Sequence, residues 1–159
     1  MKTFFLSILI FIFSCSFNSY ATLPGKVLIT GFIGTEPTDS TVQQLRELID
    51  DGYVGGIILF KRNIVNKSQL KQLIKYLTKT TDIFVVIDHE GGIVNRLTHE
   101  SFDLKTPSPE SFCKLPKSEQ QIVAKKISST LRDVGINTNL GGVVDIAPYI
   151  YQSSICKYK

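Results

Sequence analysis

Two carboxylates and a histidine directly follow an apolar run near the middle of this 159-residue chain. The run extends from Ile83 to Ile87, and Asp88, His89 and Glu90 come after it, followed by two glycines. Ionised carboxylates accept hydrogen bonds, and they also exchange protons with bound substrates. If the backbone stays extended, Asp88 and Glu90 leave one face of it and His89 leaves the other.

This alternation does not suit a shared metal ion, so we predict no metal centre here and no cofactor site elsewhere. His89 could line the site, but we do not predict it to be a catalytic group. Three further residues are candidates for lining it. Arg62 and Asn63 follow another apolar run, and Asp145 ends the last one. Asp145 suits a substrate-side role and a structural role equally well.

Four apolar runs alternate with three amphipathic segments. The strands are predicted at residues 27–29, 55–60, 83–87 and 137–145, and the helices at 41–52, 66–77 and 118–135. Thr41 and Gln44 resemble a capping box, and Asn66 can cap the second helix. Apolar strands alternating with helices indicate an α/β fold with a parallel sheet, either doubly wound or part of a barrel. No Gly-x-Gly-x-x-Gly follows the first strand, which disfavours a dinucleotide-binding doubly wound fold. A full eight-unit barrel needs about 250 residues, so a barrel here would be about half of one.

The two ends of the chain differ from the middle. A basic start, an apolar stretch over residues 4–13 and a small-x-small site ending at Ala21 predict a signal peptide over residues 1–21. The mature protein would be secreted or periplasmic. Lipidation of Cys15 is the less favoured alternative. The net charge of +4 and the lack of a dense Lys/Arg stripe indicate no nucleic-acid partner. After removal of the signal peptide, Cys113 and Cys156 remain. An exported protein could join them, but thiols this far apart in sequence are more often unpaired, so the sequence leaves their pairing open.

The segment from Ile87 to Leu97 resembles the Asp-x-Glu-Gly-Gly-Arg-Val-x-Arg motif of family 3 glycoside hydrolases, in particular the bacterial β-N-acetylhexosaminidases. The second apolar run, with Arg62 and Asn63, is similar to the second strand and loop of that family. The segment from Gly135 to Asp145 is similar to its fourth-strand motif. The likeness covers roughly residues 26–148, so we place a partial family 3 N-terminal domain at 22–148 and a divergent tail at 149–159.

The resemblance implies the first half of a TIM-type (β/α)8 barrel, with about four parallel strands and covering helices. It also implies that Asp88 and Arg96 bind the hydroxyl groups of a sugar, a terminal N-acetylglucosamine on a saccharide. A carboxylate accepts from vicinal hydroxyls, and a guanidinium donates in a fixed fork. Ile93 stands where the family motif has its first arginine. Glu90 could line the site, but it is interpreted as structural, accepting from nearby backbone N–H groups or from Arg96. We expect Phe32, Phe60 and Phe84 to lie in the core rather than to stack on the sugar.

The resemblance assigns the nucleophile, the acid/base histidine and a sugar-gripping Lys-His pair to positions beyond the fourth strand, so no catalytic residue is assigned here. The chain is therefore expected to be a truncated glycosidase with little activity alone, and whether it is an enzyme stays undecided. A non-catalytic remnant that binds sugar weakly is the alternative. A half-barrel that pairs with a second copy is a third interpretation, because its open edges favour self-association.

Overall fold

The computed structural model describes residues 24–142, which form one parallel sheet with helices. The sheet has the order β1-β2-β3-β4, with all neighbours parallel. Its strands are β1 (Ile29–Gly31), β2 (Gly56–Leu59), β3 (Phe84–Ile87) and β4 (Thr138–Asn139). The helices are α1 (Ser40–Asp50), α2 (Lys67–Leu77), α3 (Pro109–Cys113) and α4 (Lys117–Val134), with 3-10 turns at Pro24–Val27, Lys61–Asn63 and Glu100–Phe102. The predicted α/β fold with four parallel strands is confirmed.

The core lies between one face of the sheet and the helices. Ile57 and Leu59 of β2, together with Val85 and Ile87 of β3, pack in this layer. The helices add the following buried side chains: Val42, Leu45, Ile49, Leu70, Leu73, Ile74, Leu77, Leu131 and Val134. Such burial stabilises each large aliphatic side chain by about 1.5–3 kcal/mol. The apolar face predicted for α2 is confirmed completely. On α1 and α4, however, Leu48 and Ile122 are exposed rather than buried.

Several predicted boundaries were wrong, for local reasons. The 3-10 turn takes up Val27, so β1 begins two residues later than predicted. The capping box at Thr41 does not form, because the Thr41 hydroxyl donates to Ile33 O (2.6 Å) and Asp39 is the N-cap. By contrast, Asn66 caps α2 as predicted by accepting a hydrogen bond from Gln69 N. Gly135 ends α4 in the left-handed conformation that glycine adopts readily (φ 95°).

The sequence left open whether Cys113 is paired, and in the structure Cys113 is disulfide-bonded. The signal peptide, Asp145 and Cys156 lie outside the described residues. Within residues 24–142 no helix is both long and apolar enough to cross a membrane.

The sheet face turned away from the helices is partly open to solvent. Ile29 of β1 and Phe84 of β3 both pair in register with Gly56 of β2, one on each side of it. Ile29 is 49% exposed and Phe84 is 55% exposed. We expected Phe84 in the core, and its exposure contradicts that. Among the described strands, the outer edges of β1 and β4 also have no pairing strand. Exposed apolar residues beside unpaired strand edges favour association between chains.

We therefore predict that the 159-residue chain self-associates through this open face. Phe84→Lys should raise the dissociation constant by about tenfold or more, because burying a phenylalanine contributes about 1.5–3 kcal/mol. Sedimentation velocity over a concentration series measures the change. Ile122→Lys is the matched control, because Ile122 is similarly exposed (66%) but lies on α4. A monodisperse monomer, or equal effects of the two substitutions, would contradict the prediction.

Candidate functional site

The carboxyl ends of the parallel strands bring the polar residues together. Asp88 directly follows β3, and its carboxylate accepts two hydrogen bonds from Arg96. Arg96 Nε lies 2.7 Å from Asp88 Oδ1, and Arg96 Nη2 lies 2.5 Å from Asp88 Oδ2. This is the two-pronged pairing that gives an arginine–carboxylate contact its fixed geometry. About a quarter of each side chain is exposed, so both remain accessible from solution.

The pair fixes the charge state of both residues. The Arg96 hydrogen bonds lower the pKa of Asp88 against an opposing effect of burial, so its carboxyl group is ionised at neutral pH. The same bonds raise the pKa of Arg96, to which the charge of Glu90 also contributes. An ionised carboxylate accepts hydrogen bonds and donates none. Asp88 thus offers acceptor sites, and Arg96 offers donors, to a ligand rich in hydroxyl groups.

His89 lies behind this pair and points into the protein. It is 2% exposed, which contradicts the prediction that it lines the site. Its Nδ1 accepts a hydrogen bond from Arg96 N (3.3 Å), so the ring proton belongs on Nε2, which lies 2.7 Å from Thr106 Oγ1. Burial lowers the pKa of His89, and the Arg96 charge lowers it further. The neutral imidazole therefore holds the backbone of Arg96 and connects it to the Thr106 segment.

A tight turn carries the chain from Glu90 to Arg96. Glu90 N and Gly91 N both donate to Val94 O, at 3.0 and 3.2 Å. Gly91 has φ 90°, and a Cβ atom there would lie only 2.1 Å from Pro107 O. Only glycine fits this position, because it combines a left-handed backbone with close approach of another segment. The two glycines of the motif thus form the turn that returns Arg96 to Asp88.

Asn139 of β4 holds the other side of this turn. Its Oδ1 accepts from His89 N (3.0 Å), and its Nδ2 donates to His89 O (3.1 Å). The Asn137 amide makes the same kind of pair further back, with Val85 N (2.9 Å) and Ile83 O (2.9 Å). These side-chain bonds add to the backbone bonds from Asn137 N to Val85 O (3.1 Å) and from Leu140 N to Ile87 O (2.8 Å), so β3 and β4 are joined on both sides of the two-residue strand.

Two arginines lie over the ring of Phe60, which comes just after β2. The guanidinium carbon of Arg62 is 4.5 Å from the ring centroid, and that of Arg96 is 5.9 Å from it. These distances suit cation–π attraction. Arg62 also donates from Nε to Phe32 O (3.1 Å). Arg62 is exposed and lies at the same end of the sheet as Asp88. Its role as a lining residue stays a prediction.

Asn63 has a structural place instead. It is fully buried (0% exposed), which contradicts its prediction as a lining residue. Its amide donates to Phe32 O (3.1 Å) and Gly34 O (3.0 Å), and its Oδ1 accepts from Phe60 N (3.0 Å). Asn63 therefore clamps the loop after β1 to the loop after β2, and this clamp positions Phe60.

Glu90 contributes charge rather than a hydrogen bond. Its half-buried carboxylate makes no hydrogen bond within residues 24–142, to backbone or to Arg96, so the structural role predicted for it is not supported. It borders a surface pocket of about 200 Å³, which is also lined by Gly91, Gly92, Ile93, Val94, Ser108 and Pro109. Among residues 24–142 no cluster of three side chains could hold a metal ion.

Sequence reasoning missed Phe60, Thr106 and Asn139 as parts of the site. Phe60 was interpreted as core, yet it is half-buried and stacks on arginine. Thr106 and His89 are 17 residues apart, and Asn139 and His89 are 50 apart. The sequence did contain one indication for Asn139. A polar amide inside an apolar run needs hydrogen-bond partners when strands pair, so its side chain could be expected to bond to a neighbouring strand.

Comparison with known proteins is consistent with this architecture. The Glycosyl hydrolase family 3 N terminal domain matches residues 26–155. A beta-hexosaminidase of Haemophilus ducreyi is 37% identical over 99 residues, which are 61% of this chain and 27% of that protein. A beta-hexosaminidase of Methylobacillus flagellatus is 31% identical over 123 residues, or 72% of this chain and 34% of that protein. The chain thus spans about a third or less of these curated relatives.

Solved structures resemble the described fold. A family 3 beta-N-acetylglucosaminidase from Paenibacillus sp. FPU-7 superposes with a TM-score of 0.61 at 32% identity, covering 72% of this chain and 22% of that one. A NagZ from Neisseria gonorrhoeae, in complex with N-trifluoroacetyl-D-glucosamine, gives a TM-score of 0.54 at 29% identity, covering 69% and 33%. The Thermotoga maritima beta-N-acetylglucosaminidase (TM-score 0.62, 21% identity, 77% and 25% covered) shares the fold.

The buried neutral His89 predicts a pH-dependent stability. Its pKa is lower in the folded protein than the unfolded value of about 6.5, so the unfolded chain binds the extra proton first. The free energy of unfolding should be constant with respect to His89 above about pH 6.5 and should decrease as the pH falls below that value. The total loss is about 1.4 kcal/mol for each unit by which the folded-state pKa is lowered. Urea unfolding between pH 7.5 and 5 measures this slope.

His89→Gln should flatten the slope, because the amide does not titrate. His99→Gln is the matched control, since His99 is the other histidine and is exposed. A slope that persists in His89→Gln but disappears in His99→Gln would refute the assignment.

Proposed function

Because the chain belongs to the Glycosyl hydrolase family 3 N terminal domain family, we propose that it forms the sugar-holding part of a β-N-acetylhexosaminidase-type glycoside hydrolase. The ligand we propose is a saccharide with a terminal N-acetylglucosamine. The observation that carries the proposal is the pairing of Asp88 with Arg96 at the carboxyl end of β3. In barrel enzymes of this kind, binding and catalytic groups lie at that end of the strands.

The geometry of the pair suits a ring with adjacent hydroxyl groups. Arg96 occupies one side of the Asp88 carboxylate, and each oxygen keeps a further lone pair for a ligand hydroxyl. Arg96 is in turn held by Asp88, by His89 and by the Phe60 ring. Both groups are therefore fixed before a ligand arrives, which reduces the entropy lost on binding.

The comparisons support the choice of sugar. The relatives include proteins described as beta-hexosaminidases and as beta-N-acetylglucosaminidases. One similar structure contains N-trifluoroacetyl-D-glucosamine, an analogue in which fluorine replaces the acetyl hydrogens. These facts concern those proteins, and they support the same sugar for this site.

Cleavage of the glycosidic bond needs two further groups, one on each side of that bond. We assign neither of them to residues 24–142. The role proposed for Asp88, which is paired with Arg96, is to accept hydrogen bonds from the sugar hydroxyls rather than to take part in bond cleavage. Sugar binding is therefore the property by which this part of the chain is tested.

We predict that the chain binds N-acetylglucosamine and that Asp88→Asn weakens this binding about tenfold or more, because a charged acceptor contributes about 1.5–3 kcal/mol to a hydrogen bond. Ligand-observed NMR titration detects such weak binding. Asp133→Asn is the matched control, because Asp133 pairs with Lys67 and Lys71 on the helical layer. Equal binding by wild type and Asp88→Asn would disprove the role of Asp88.

We also propose that the protein is exported, on the basis of the amino-terminal pattern of its sequence. The expected result is a mature protein that begins at Thr22, which N-terminal sequencing of the exported form would identify. A lipid-modified Cys15 at the amino terminus would contradict this proposal and indicate a membrane anchor instead.

A further inference from the structure

Arg62 differs from Arg96 in having no carboxylate partner. Each ion pair among residues 24–142 involves other cations, and the charge of Arg96 is already compensated by Asp88. Arg62 is thus a cation without a counter-ion among the described residues, at the same end of the sheet as the sugar-holding pair.

Arg62 is nevertheless held in place. Its Nε donates to Phe32 O (3.1 Å), and its guanidinium carbon lies over the Phe60 ring (4.5 Å to the centroid). Its Nη2 lies over Gly31, where an added Cβ atom would be 3.4 Å away. The Nη groups make no hydrogen bond to the described residues, so their donors are available. A solvated surface arginine needs no such support, whereas a guanidinium fixed in this way loses little entropy when it binds an anion.

The position of Arg62 relative to the sugar-holding pair follows from the shared ring. Arg62 and Arg96 both contact Phe60, so the two guanidinium groups lie within the reach of one small saccharide. Asp88 repels anions, but its charge is neutralised by Arg96. The combined site therefore presents hydroxyl-binding groups and, over the same ring, a positive charge that no described carboxylate compensates.

We propose that Arg62 binds an anionic substituent, a carboxylate or a phosphate, carried by the saccharide that Asp88 and Arg96 hold. This inference rests on the proposed function, because the saccharide is the ligand proposed there. The planar fork of Arg62 matches the paired oxygens of either anion. The site would thus prefer a charged saccharide over its neutral counterpart.

The test compares N-acetylglucosamine with its 1-phosphate and its 6-phosphate, which carry the anion at opposite ends of the same ring. We expect at least one phosphate ester to bind the 159-residue chain about tenfold more tightly than the neutral sugar, as a charge-assisted contact provides. The ester that binds better identifies the end of the ring that faces Arg62. Raising the salt concentration should reduce the preference, because Arg62 is exposed.

Arg62→Gln should remove this preference. The readout is the affinity for the preferred phosphate ester divided by the affinity for N-acetylglucosamine, both measured on the same variant. Lys61→Gln is the matched control, because it removes the same charge one residue away from an exposed side chain. Inorganic phosphate should bind much more weakly than the preferred ester, since it lacks the sugar.

Two results would overturn the inference. One is a wild-type chain that binds neither ester more tightly than the neutral sugar, and the other is a preference that survives Arg62→Gln. Loss of the preference in Lys61→Gln as well would assign it to general charge and would also overturn the inference. The proposed function fails separately, if N-acetylglucosamine itself does not bind or if Asp88→Asn leaves its binding unchanged.

Discussion

The two hydrogen bonds between the Asn139 amide and the backbone of His89 determine how the chain leaves β3. They hold His89 N and O at the point where regular strand pairing ends. Asp88 is therefore directed outward and His89 inward, so that the carboxylate meets solvent while the imidazole is buried. The turn that follows can then bring Arg96 back to Asp88. Without the two Asn139 hydrogen bonds, Asp88 and Arg96 would stand on a loop with no pairing to β4.

Two arginines at this end of the sheet differ because of their surroundings. Arg96 is paired with Asp88, and its charge mainly serves to orient the carboxylate. Arg62 lies over the same ring, and within residues 24–142 its one hydrogen-bond acceptor is the backbone carbonyl of Phe32. Phe60 attracts both cations, since the face of an aromatic ring carries partial negative charge. Its ring face is occupied by Arg62, which argues against a role as a sugar-stacking platform.

The sequence predicted those parts of the fold that depend on local pattern. The apolar stripe of α2, the Asn66 cap and the Gly135 stop each follow from residues within one helix. The motif likewise predicted that Asp88 and Arg96 belong to one site, because the glycine turn between them is local. Whether these residues bind a sugar stays a prediction.

The errors arose where distant segments decide the outcome. The burial of Asn63 depends on carbonyls about 30 residues away, and that of His89 depends on Thr106 and Asn139. No periodicity reports such contacts. Phe84 was misjudged for a related reason. An apolar strand predicts burial on both faces, but the register places Phe84 on the face away from the helices.

Ile93 shows how one departure from the family motif changes the site without changing the fold. The turn is made by backbone hydrogen bonds to Val94 O and by the two glycines, so it needs no side chain at position 93. Ile93 is 86% exposed and offers no hydrogen-bond donor, in contrast to the arginine of the motif. The Glu90 carboxylate borders the pocket without a hydrogen-bond partner among the described residues, and its charge helps to raise the pKa of Arg96. If Arg62 binds an anionic group as proposed, Glu90 repels that group and Arg62 attracts it. The two charges would then fix the orientation in which the ligand binds.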